Sequence, residues 1–239
     1  MKEDYFFFEE ENYDIPFYRK NPELTGQYQT LLVTGLIIAV IAIFSIPVGQ
    51  YLMPRALLIM LATLVPVLYT LRGHLDTIFR IPRKGDIPTV ILGVLVYVAL
   101  GILVSSTLTA MGVPVPINRS QSSDNPVLTI AAMTIQILGE ELLKFIAFTM
   151  TMTCACRMTG RKNSIAAAVI MSQLLFALLH IRAYGLNLPY LLLSVALVST
   201  VLPVIYLKTK NVTVTYLTHL LIDVMPVLLV TLLMPSVLV

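Results

Sequence analysis

Six ionisable residues lie in apolar surroundings that ordinarily exclude them: Glu140, Glu141 and Lys144 in one run, His180 in a second, and His219 and Asp223 in a third. Charge within a bilayer is costly and usually faces the interior of a helix bundle, so each of these residues is a functional candidate by default. Spacing groups them further. Lys144 lies four residues after Glu140 and three after Glu141, so on a helix it can neutralise either carboxylate. Adjacent Glu140 and Glu141 point roughly 100° apart and cannot share one role. Asp223 falls one turn beyond His219, and Phe176 one turn before His180, where it can wall an apolar pocket. Carboxylates, imidazoles and a base together suit hydrolysis: a desolvated glutamate takes a proton from water, and imidazoles orient that water or stabilise an oxyanion. The same residue types would serve a proton-coupled transporter, or would simply fix helix packing.

The surroundings are those of a membrane protein. Of 239 residues, 57% are hydrophobic and 12% charged, with mean hydropathy +0.86, net charge +3 and only two Cys. This composition excludes a disordered chain, a disulfide scaffold and a nucleic-acid binder. Seven stretches reach spanning length, at about 30–52, 53–71, 87–108, 126–153, 163–181, 189–207 and 213–236. The reading is an all-α, polytopic transmembrane bundle of about seven spans with its active site inside. It divides into a polar tail over 1–29 and a transmembrane domain over 30–239. The first two spans are expected to form a tight hairpin around Pro54 and Arg55.

Basic residues alternate between successive loops as 3-1-4-1-3-1-2-0, which accounts for all of them but Lys144. The positive-inside rule then expects a cytosolic N-terminus and an external C-terminus. The acidic, aromatic tail lacks a signal peptide's features and is expected to have no defined fold. His74 reads as a solvated loop residue, and Cys154 and Cys156 as reduced, inert thiols. Asn118-Arg119-Ser120 matches a glycosylation acceptor.

Three segments in order, EELLKF at 140–145, FALLH at 176–180 and HLLID at 219–223, resemble the motifs of the CPBP family. That family comprises CAAX proteases and bacteriocin-processing or self-immunity membrane proteins, the Abi group. The resemblance covers about 126–230, a protease-like core. It implies an intramembrane endopeptidase acting on a membrane-associated or prenylated peptide, in bacteriocin maturation or self-immunity, in a bacterial plasma membrane. Glu140 would be the base, His180 would orient its water, His219 and Asp223 would support the oxyanion, and Glu141, Lys144 and Phe176 would assist. The family's arginine, five residues after the first Glu, is here Phe145, and Lys144 is one residue early. Lysine does not reproduce a bidentate guanidinium, and EExxK also resembles the PrsW-type proteases.

Zinc held by Glu140, His180 and His219 is the alternative chemistry, against a metal-independent glutamate mechanism. A non-catalytic immunity or scaffold protein and a transporter stay as rival functions. Oligomeric state is unread. Straight spans would leave His180 and His219 about 15 Å apart in depth, in tension with a shared site.

Overall fold

A computed structural model describes residues 4–10, 13–18, 23–47, 51–116 and 125–233, with side chains to residue 228. The Asn118-Arg119-Ser120 acceptor lies outside the described residues. The described chain is helical, with α1 over Gly26–Ser45, α2 over Leu52–Thr70, α3 over Ile87–Ala110, α4 over Pro126–Ala155 and α5 over Arg161–Leu179. A composite helix α6 covers Leu188–Thr209, and α7 covers Val212–Leu233. The first six are long and apolar enough to cross a membrane, and α7 is apolar over Val212–Leu228. The chain is thus a polytopic helical bundle.

α4 is its axis. Asn125 caps it by accepting from Val127 and Leu128 N–H, and Pro126 occupies the first turn, where a missing N–H costs nothing. The helix packs on α2, α5 and α7. Gly139 makes the α2 contact possible, since a Cβ there would sit 2.9 Å from the Met60 backbone nitrogen. Small residues of this kind let membrane helices approach closely. α3 lies at the periphery, with Ile91, Leu92, Leu95, Ile102 and Leu103 exposed. Water would not tolerate such a face, whereas acyl chains do.

Two expectations need correction. Pro54 and Arg55 are not a loop: α1 ends at Ser45, α2 starts at Leu52, and both residues sit in the first turns of α2. Proline is tolerated there. Arg55 is therefore not a loop charge but a buried one.

The N-terminal tail also has structure. Ile15 and Phe17 are buried in the cluster containing Phe148, Met152 and Tyr206. Buried Glu9 receives Arg161 Nη1 and Nη2 at 2.8 and 2.7 Å and Lys210 Nζ at 2.6 Å. The tail thereby straps the bundle end where α5 begins and α6 turns into α7. That turn is only two residues long and uses Lys210 in the left-handed region, φ 47°. Composition suggested a tail with no defined fold, but its Glu9 meets buried cations that only the folded bundle assembles. His74 is exposed, and Cys154 and Cys156 are free.

Candidate active site

The adjacent glutamates of α4 diverge into separate networks. Glu141 is buried and accepts a hydrogen bond from His219 Nδ1 at 2.6 Å. It also pairs with Lys144. Of the two carboxylates within reach of Lys144, the structure therefore selects Glu141. The Lys144 ammonium sits 4.4 Å from the Phe176 ring centroid, which gives this cation an aromatic face as well as an anion. On the far side of the His219 ring, Asp223 Oδ2 lies 3.5 Å from Nε2. Both imidazole nitrogens thus face carboxylates, and the ring is fixed between α4 and the next turn of α7.

Glu140 is half-buried. Its Oε1 accepts from Gln136 Nε2 at 2.7 Å, and Gln136 Oε1 accepts from Arg55 Nη1 at 2.9 Å. Among the described residues Glu140 makes no ion pair with Lys144 and no hydrogen bond to either imidazole. Among the described residues its second oxygen accepts no hydrogen bond.

His180 follows the last residue of α5. Its Nδ1 lies 2.8 Å from the Phe176 carbonyl. A carbonyl only accepts, so Nδ1 carries a proton, and Nε2 is the ring nitrogen that the helix does not engage. The Phe176 ring contacts both imidazoles, with centroids 4.5 Å from His180 and 6.1 Å from His219. The depth difference between straight spans is therefore not realised: His180 and His219 share one phenyl ring.

Aromatic residues beyond the motifs complete this wall. Tyr184 stacks on His180 at 5.8 Å, and Tyr190 packs edge-on to Tyr184 at 4.9 Å. Tyr97 of α3 is within electrostatic range of Glu140, Asp223, Tyr184 and Tyr190. On the Lys144 side lies a small, partly open pocket lined by Glu141, Lys144, Gln173, Pro203 and Tyr206 among others. Gln173 Nε2 and Tyr206 Oη are buried there without hydrogen-bond partners among the described residues. Buried polar atoms of this kind are ordinarily satisfied by water.

The zinc set read from sequence is Glu140, His180 and His219, and in both imidazoles Nδ1 is engaged as the non-ligating nitrogen of a metal-bound histidine commonly is. His219 directs Nδ1 at Glu141 and has Asp223 beside Nε2, and His180 uses Nδ1 on its own helix. Among the described residues no three His, Cys, Asp or Glu side chains converge on one point.

Phe145, which stands where the family pattern has arginine, is a core residue at 5.8 Å from Tyr206. Two polar partners escaped the sequence reading. Gln136 lies four residues before Glu140, so helical spacing could have flagged it. Arg55 is 81 residues away from Gln136, and only packing unites them.

The comparison with protein families matches residues 122–225 to Rce1-like, type II CAAX prenyl endopeptidase Rce1-like. The matched stretch holds all three motif segments, with α4, α5, α6 and part of α7. The match is consistent with a CPBP family intramembrane protease and supports intramembrane endopeptidase activity at the family level. No curated protein and no solved structure matches the chain.

Proposed function

We propose, from the match of residues 122–225 to a CAAX prenyl endopeptidase family, that the protein hydrolyses a peptide bond in a membrane-associated or prenylated, CAAX-type peptide by a glutamate-dependent, metal-independent mechanism. The observation that carries this reading is the division of labour between the two glutamates. Glu141 is held by Lys144 and His219, whereas Glu140 keeps an oxygen available.

In this mechanism Glu140 takes a proton from a water that His180 Nε2 helps to orient. The water oxygen bonds to the scissile carbonyl carbon, and the carbonyl electrons move to its oxygen. The His219 Nε2–H donates to that oxyanion, with Asp223 keeping the ring in place. Collapse re-forms the carbonyl and breaks the C–N bond, and Glu140 returns its proton to the leaving amine. Glu141 and Lys144 hold His219 and do not react. The alternation of the loop bases, which holds without Arg55, supports a cytosolic N-terminus and an external C-terminus, and we place the chain in a bacterial plasma membrane. A role in bacteriocin maturation or self-immunity is the narrower form of this reading, supported by the motif resemblance.

The test is cleavage of a prenylated C-terminal peptide by purified protein in lipid vesicles, normalised to protein level. Glu140→Gln is nearly isosteric and should lower kcat by about 10²–10⁴-fold at normal abundance, the usual contribution of a general base. His180→Ala and His219→Ala should do likewise, with little further loss on combination, since members of one catalytic unit are non-additive. Full activity of Glu140→Gln would eliminate the mechanism. A host phenotype retained in all three single variants would instead favour an immunity or scaffold protein without turnover.

A further inference from the structure

Arg55 and Gln136 form a buried polar pair that reaches Glu140 without belonging to any of the site's motifs. Arg55 enters from α2 and Gln136 from α4; each is 6% exposed, and neither touches the imidazoles. The bonds run in one direction, from Arg55 Nη1 to Gln136 Oε1 at 2.9 Å and from Gln136 Nε2 to Glu140 Oε1 at 2.7 Å. The guanidinium fixes the amide orientation, because only Oε1 can accept from Nη1. With the oxygen so engaged, the amide must present N–H to Glu140.

We propose that Arg55, acting through Gln136, is the positioning device for Glu140. A guanidinium placed directly on Glu140 would draw both carboxylate oxygens into a bidentate fork. The intervening amide pins one oxygen, leaves the other for water, and keeps a compensating positive charge one side chain away. Gly139 is what permits this arrangement. It brings α4 against Ile59 and Met60 of α2, one turn from Arg55, at a distance a larger residue would prevent. Arg55 and Gln136 are positioning residues, since neither contacts the reacting atoms.

This inference rests on the assignment of Glu140 as the base, and the experiment separates the two. Four variants, Gln136→Glu, Gln136→Leu, Arg55→Lys and Arg55→Met, are compared for kcat, KM, abundance and thermal midpoint in vesicles. Gln136→Glu is the decisive one. It keeps an acceptor for Arg55 and strengthens the link between α2 and α4, yet replaces the donor facing Glu140 with an acceptor. The expected result is a fall in kcat of at least tenfold, with KM changed less than about twofold and with wild-type abundance. Gln136→Leu should lower kcat similarly even where its stability is reduced, once activity is normalised to folded protein. Arg55→Lys should keep kcat within a few fold because an ammonium can still hold Oε1, whereas Arg55→Met should not. Arg55→Met combined with Gln136→Leu should be no slower than Gln136→Leu alone. Wild-type kcat in folded Gln136→Glu or Gln136→Leu would overturn the inference and reduce the pair to a link between helices. An active Glu140→Gln would instead overturn the base assignment, whatever the Gln136 variants do.

Discussion

Lys144→Met tests which glutamate the intramembrane lysine serves. The Lys144 and Glu141 side chains are 6% and 4% exposed, and their ion pair spans one helical turn. Replacing the lysine by an apolar residue of similar length leaves Glu141 buried with one remaining partner, the His219 N–H at 2.6 Å. Orphaning one member of a buried pair costs about 3–5 kcal/mol, and the surviving hydrogen bond places this case near the lower end, at about 3 kcal/mol. For a chain of this length each kcal/mol moves the midpoint by about 2–4 °C, so thermal unfolding in detergent should fall by roughly 6–12 °C. Adding Glu141→Gln removes the orphaned charge, and the double variant should recover most of the loss. Adding Glu140→Gln should recover far less, because among the described residues Lys144 pairs with Glu141 and not with Glu140. A coupling energy between Lys144 and Glu140 equal to or larger than that with Glu141 would refute the division of the two glutamates, and with it the argument that Glu140 is free to handle water.

The remaining predictions concern the strap, the metal and the topology. Burial favours the neutral form of Glu9, but Arg161 and Lys210 hold its carboxyl at about 2, below the ordinary 4.5. A depressed carboxyl stabilises the fold above its unfolded value and loses that contribution as pH falls toward the folded one. Glu9→Gln should therefore destabilise by about 3–5 kcal/mol at pH 7, and its gap from wild type should narrow steadily below pH 4.5; a gap independent of pH would contradict the buried pairing. Peptide cleavage should be unchanged after exhaustive chelation, and activity lost to chelator and restored by zinc would replace the glutamate mechanism. Reporter fusions should place the two termini on opposite sides of the membrane, and both on one side would break the seven-helix topology.

Sequence alone determined the bundle and the motif-bearing helices. Spanning length is a local property, set by runs of apolar residues against hydrocarbon thickness, so the α3, α4 and α5 ranges lie within a few residues of those read from hydropathy. Helical spacing likewise placed Phe176 beside His180 and Asp223 beside His219, since neighbours one turn apart share a face whatever the tertiary structure does. The same rule left Lys144 with two glutamates, and only the position of α7 decided between them, because His219 draws Glu141 into the core. Arg55 shows the limit most clearly. Its neighbours in sequence suggest a turn, and its bond to Gln136 joins residues 81 apart. The tail read as having no defined fold for the same reason. Whether a charge is solvated or buried depends on which cations the folded chain brings to it, and Arg161 and Lys210 meet Glu9 only once α5, α6 and α7 have packed.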